Sequence, residues 1–204
     1  MLQLNMSHLT EAILSAARAL PEGGLLSPKE FLHLASRAAV DQALSRLMRE
    51  GVLLRIGHGL YTAPVQGRFG LRPPSTEAVV QAIEKVSGET IVASGATEAN
   101  ALGLSTQVPV REVFFTSGRT RKFQLGNRHI ELKHGSKVQL LLGRRPAGMA
   151  LRALSWLGSD QCLAALKQLR TKLPAEEWQL IQTARTVMPA WMARAVSMEG
   201  ERLG

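Results

Sequence analysis

A chain of 204 residues, 45% hydrophobic and 20% charged, can bury one large core or two small ones and is not an intrinsically disordered sequence. No apolar run reaches the ~18 residues needed to cross a bilayer; the first twelve residues lack a secretory signal's basic start and unbroken apolar stretch; the lone Cys162 excludes an internal disulfide or cysteine-held zinc. The cytoplasm is therefore the expected compartment, and the +9 balance of 25 Lys and Arg over 16 Asp and Glu favours acidic partners, nucleic acid first.

In chain order, Leu9, Ile13, Ala16, Ala17 and Leu20 follow helical spacing, with Ser7 as the expected N-cap and Pro21 as the stop. After Gly23-Gly24 a second start signal is complete: Ser27 as cap, Pro28 first in the turn, Glu30 as the capping-box acid. Leu26 and Phe31 are placed to form a hydrophobic staple. A third helix begins after Ser36. Val40, Ala43, Leu44, Leu47 and Met48 make its core stripe, and Gly51 closes it. Its opposite face carries Arg37, Asp41, Gln42, Ser45, Arg46 and Arg49, in which guanidinium groups suit phosphate or guanine and the amide suits adenine.

Val52 to Ile56 and Leu60 to Ala63, joined by Gly57-His58-Gly59, predict a β-hairpin. A helix, a short capped helix, a basic third helix and a hairpin in that order predict a winged helix-turn-helix over residues 1–65. Arg55 and His58 would then lie near the sugar-phosphate backbone or the minor groove, although a solvated helix face and a plain turn histidine are the alternatives.

Residues 66–74 (QGRFGLRPP) have linker composition; Arg68 and Arg72 either trail along phosphates there or are simply solvated. Over 75–158 the pattern predicts a helix after Ser75 using Val79, Val80, Ile83 and Val86, a strand at 90–93, and a short helix capped by Ser94. Strands at 110–116, 120–125 and 128–133 come next as a three-stranded meander, giving α+β with an antiparallel sheet. Phe123, Leu125, Ile130 and Leu132 share one face. Arg119, Arg121, Lys122 and Arg128 offer either a solvated basic face or a second nucleic-acid or partner surface. Pro146 opens a helix closed by Gly158, and residues 159–204 form a C-terminal helical segment interrupted at Pro189. Its tryptophans, with Trp156, are expected to fill the core against the sheet.

No phosphate loop, dinucleotide fingerprint, HExxH or nucleophile elbow occurs, and His129 and His134 lack a third ligand at metal spacing. Neither a catalytic residue, a metal nor a cofactor is expected. The run SRAAVDQALSRLMREGVLLRIGHGLYTAP is similar to the recognition helix and wing of AbiEi-type antitoxins. Ser94-Gly95 and the run Asn100 to Pro109 (NALGLSTQVP) resemble that family's second domain, and the likeness covers roughly residues 7–158.

The resemblance implies a winged-helix regulator of a type IV toxin–antitoxin or phage-defence operon. It would bind repeats in its own promoter and oppose a nucleotidyltransferase-like toxin, usually without a stable complex. By position, the DNA contacts would be Arg37, Gln42, Ser45, Arg46 and Arg49 with Arg55 and His58, the last standing where the family commonly has a basic residue. A homodimer fits a palindromic operator. Two alternatives stay open: a winged-helix adaptor that binds protein without specific DNA binding, and a DNA-acting enzyme working through His129 or Glu131.

Overall fold

A computed structural model describes residues 2–107 and 109–201. Val108, part of the second-domain motif, lies outside them. Contacts divide the chain into two units, residues 1–89 with 122–130 and residues 90–121 with 131–204.

The first unit opens with α1 (Leu2–Ala19), which begins ahead of Ser7, so that serine is inside the helix rather than its cap. Ser27 and Glu30 form the expected reciprocal capping box, but it opens a single 3₁₀ turn, Pro28–Phe31, rather than an α-helix. Helix α2 (Arg37–Arg49) starts at Ser36, whose side chain accepts from the Ala39 N–H. Its buried stripe is Val40, Ala43, Leu44 and Leu47; Met48, expected to join them, is exposed.

Strands β1 (Leu54–Gly57) and β2 (Leu60–Thr62) pair antiparallel, with a register shift between Arg55 and Gly57. Gly59 supplies the positive φ of 66° that the tip requires. Leu26 adds a bridge to Tyr61 through two backbone hydrogen bonds of 2.8 and 2.9 Å, tying the start of the 3₁₀ turn to the hairpin. These elements close one core made of Leu9, Ile13, Leu26, Phe31, Leu44, Leu47, Leu53 and Tyr61, among others.

Residues of linker composition carry a second hairpin, β3 (Val65–Gly67) with β4 (Gly70–Arg72). Helix α3 (Thr76–Ser87) is capped by Ser75, buries Val79, Val80 and Ile83, and leaves Val86 exposed. Gly23 fits under α3 because a Cβ there would lie 2.5 Å from the Ala78 carbonyl carbon.

In the second unit β5 (Ile91–Ala93) pairs antiparallel with β6 (Glu112–Thr116), and α4 (Gly95–Ala101) intervenes. Strands β7 (Arg121–Leu125) and β8 (Arg128–His134), whose residues 122–130 count with the first unit, complete a four-stranded sheet in the order β5-β6-β8-β7. The sheet is mixed, which corrects the expected antiparallel meander: β8, not β7, is the neighbour of β6.

The turn chemistry shows why. The end of β8 docks where a hairpin partner of β6 would lie. Gly135 N–H donates to the Thr116 carbonyl (2.9 Å), and His134 donates from its backbone to Thr120 Oγ1 (2.9 Å). His134 Nδ1 lies 2.8 Å from the Gly118 carbonyl, which can only accept, so a hydrogen bond there requires the Nδ1–H form of the ring. Phe123, Leu125, Ile130 and Leu132 are buried along β7 and β8, as their alternation predicts.

Helices α5 (Lys137–Leu140), α6 (Pro146–Leu157), α7 (Ser159–Lys172), α8 (Ala175–Thr183) and α9 (Ala190–Glu201) complete the chain, with a 3₁₀ turn, Ala184–Val187, ahead of Pro189. Their own core contains Leu151, Leu154, Leu166, Leu169, Trp178, Ile181 and Met192, with Trp191 against it. Trp178 is buried in this helical core, whereas Trp156 is 41% exposed and does not fill it.

Candidate nucleic-acid interface

Helix α2 and the β1–β2 hairpin bring the sequence-predicted residues onto exposed positions of the first unit. Arg37, Gln42, Ser45, Arg46 and Arg49 on the helix, and Arg55 and His58 on the hairpin, are all exposed. At 100° per residue the buried stripe of α2 points opposite Ala38, Gln42, Ser45 and Arg49, so these form the centre of the outward face. Arg37 and Arg46 flank it.

The flanking arginines have partners that a count of basic residues overlooks. Arg37 Nε donates to Asp41 Oδ2 and Arg46 Nε to Glu50 Oε1, each at 2.8 Å and one helical turn along. The Glu50 carboxylate raises the Arg46 guanidinium above its already high value, first by hydrogen bonding and then by charge. Both pairs were legible as Arg at i and acid at i+4, a spacing that puts side chains in contact. Arg49 Nε reaches back to the Ser45 carbonyl at 3.4 Å, and Arg55 Nε to the Gly57 carbonyl at 3.2 Å. These two contacts are to neutral acceptors, so Arg49 and Arg55 keep their charge uncompensated there.

The second basic group is not one surface of like residues. Arg119 and Lys122 are exposed, and Arg121 is half-buried with Nη1 3.3 Å from the Arg119 carbonyl. Arg128 is half-buried and acts as a clamp, donating to the Pro74 carbonyl (2.7 Å) and Thr76 Oγ1 (2.9 Å) at the start of α3.

The motif that runs from Ser94 is accounted for by folding. Ser94 caps α4, and Gly95 has no room for a Cβ between the Arg152 carbonyl and Trp156. Asn100 Nδ2 donates to the Ser105 and Gln107 carbonyls, both at 3.3 Å. Glu98 and Arg152, both buried, meet through Oε1 and Nη2 at 2.9 Å. Burial pulls the Arg152 pKa down, and the Glu98 hydrogen bond and charge oppose that shift. Beside them a cavity of about 680 Å³ is lined by Arg111, Val113, Phe115, Leu151, Ser155 and Trp156, among others.

Burial pushes the Cys162 thiol up to about 11, so it stays protonated at neutral pH and is a poor nucleophile. Among the described residues no three His, Cys, Asp or Glu side chains converge as a metal set. Among them, too, no helix is long and apolar enough to cross a membrane.

No curated protein matches the chain in sequence. Residues 12–178, which take in the candidate helix, both hairpins and the Ser94 motif, match DUF6088, a family of unknown function, and the chain belongs to that family.

Proposed function

We propose that α1, the 3₁₀ turn, α2 and the β1–β2 hairpin form a winged helix-turn-helix that binds double-stranded DNA in sequence-specific fashion. The observation that carries the reading is the exposed Gln42, Ser45 and Arg49 at the centre of α2, opposite its buried stripe, with a hairpin bearing exposed Arg55 directly after it. A helix with amide, hydroxyl and guanidinium groups fits a major groove, and the Arg55 cation on the next hairpin fits an adjoining phosphate.

With the AbiEi-type resemblance, this makes the protein a cytoplasmic repressor of its own promoter in a type IV toxin–antitoxin or phage-defence operon. It would act as a homodimer on a palindromic site and as the antitoxin paired with a nucleotidyltransferase-like toxin.

Fluorescence anisotropy with DNA from upstream of its own gene, across a range of salt, tests this. Arg46→Ala with Arg49→Ala is expected to weaken binding and flatten the log-log salt slope by about 0.9 for each lost phosphate contact. Unchanged affinity and slope would remove α2 from the interface. The Arg37–Asp41 and Arg46–Glu50 pairs favour a second reading, a protein-binding adaptor, because they lower the uncompensated charge of the helix. Co-purification with a protein partner, together with no DNA shift at low salt, would select it.

A further inference from the structure

The β3–β4 hairpin has no core of its own, yet it is tightly built. Val65 pairs with Arg72, Gln66 with Leu71 and Gly67 with Gly70, which leaves Arg68-Phe69 as a two-residue tip. Gly70 takes φ 109°, open only to glycine without strain. At the base, Arg72 Nη1 donates to Glu22 Oε1 (3.1 Å) and to the Pro73 carbonyl (3.0 Å). The same Glu22 oxygen accepts from the Ser75 N–H at 2.8 Å. Those bonds hold the Glu22 carboxyl below the ordinary carboxylate range, the Ser75 N–H contributing most and Arg72 next.

The base is thus anchored to the turn after α1 and to the start of α3, while the tip is bare. Phe69 is 96% exposed and Leu71 66%. The Arg68 guanidinium carbon stands 5.6 Å from the centroid of the Phe69 ring. The tip thus presents a flat apolar surface and a positive charge side by side on a pinned ribbon.

We propose that this tip is a DNA wedge: Phe69 inserts between base pairs at one step, and Arg68 contacts the flanking phosphate. The proposal rests on the double-stranded DNA reading of the same unit and adds a second contact to it. Side chains such as Phe and Leu unstack base steps in this way. Charge decides between DNA and a second copy of the chain. Residues 65–72 contain no acid, and of their two arginines Arg72 is paired with Glu22, which makes Arg68 the cation offered at the tip. A two-fold contact through the tip would oppose Arg68 to its own equivalent, whereas DNA supplies a phosphate on either side of every base step.

The test uses the full chain and duplexes from its upstream region carrying 2-aminopurine at successive positions, read by fluorescence, with anisotropy for affinity. The wild-type protein should raise the fluorescence at one step. Phe69→Ala should abolish that rise and weaken binding about tenfold, the scale of one lost base–aromatic contact, with unchanged thermal unfolding because the ring is exposed. Phe69→Leu should keep most of the signal, and Arg68→Ala should lower the salt slope by about 0.9.

If the wild type binds DNA and Phe69→Ala changes neither signal nor affinity, the wedge is wrong and the α2 reading stands. If the wild type binds no duplex, both fall together. If sedimentation shows Phe69→Ala turning a dimer into a monomer while DNA unstacking persists, the ring covers a second copy and the wedge is overturned.

Discussion

Arg46 and Glu50 set a local contest on α2. The carboxylate that holds the guanidinium at 2.8 Å would also repel any phosphate brought to it, so docking on DNA must first undo an exposed pair that itself is worth little. Glu50→Gln is therefore expected to raise affinity for the upstream duplex by about two- to threefold, the size of one exposed charge pair, and to steepen the salt dependence. Anisotropy at two salt concentrations checks this, and a lower affinity would show that Glu50 orients Arg46 productively. Exposure of Arg49, Gln42 and Arg55 was legible in the sequence because helical and strand periods dictate which residues face out. The Asp41 and Glu50 pairings were equally legible, but counting basic residues alone concealed them. Phe69 was hidden for another reason: glycine and proline around it read as a linker, and nothing local distinguishes a linker from a short hairpin with a two-residue tip.

At the scale of elements, α4 and α6 depend on a buried ion pair. Arg152 and Glu98 are both almost fully inaccessible, and Arg152 also donates to the Gln139 carbonyl at 3.3 Å. Removing one partner strands a buried charge, which costs about 3–5 kcal/mol. Glu98→Gln should lower the unfolding free energy by that order in urea titration, and Glu98→Leu with Arg152→Met should recover much of the loss. A double variant as unstable as the single one would show that the hydrogen bonds, not the stranded charge, set the cost. The capped starts at Ser27, Ser36, Ser75 and Ser94 were readable because an N-cap and the residues it serves lie within one turn. The sheet order was not. Ser117-Gly118 turns the chain in either arrangement, and whether β7 or β8 lies beside β6 depends on residues far along the chain, His134 and Gly135 among them.

For the molecule as a whole, acid is the condition that separates stabilising contacts. Glu177 on α8 serves the start of α6: Oε1 accepts from Arg145 at 2.7 Å and Oε2 from the Ala147 N–H at 2.9 Å. Arg145 first, then that N–H, hold its carboxyl below the ordinary value of 4.5. A carboxyl depressed in the folded state contributes fully above its unfolded pKa, and the contribution is lost as pH falls through the folded one. The melting temperature of the wild type should therefore exceed that of Glu177→Gln by a constant margin down to about pH 5, and the two should converge in stronger acid. Melts taken from neutral to strongly acid pH check the sign; a margin that widens in acid would contradict it.

The hairpin Lys122–Ile130 belongs by its contacts with residues 1–89, although a long stretch of the other unit comes between them in the chain. Arg128 is the concrete link, since its guanidinium holds Pro74 and Thr76. No single cut in the gene can therefore release the first unit whole. A fragment ending at residue 89 leaves the start of α3 without its clamp, and a fragment starting at residue 90 carries a ribbon stripped of its own unit. The first unit is discontinuous in sequence, so it can be produced whole only together with residues 90–121 or with the chain rejoined across them.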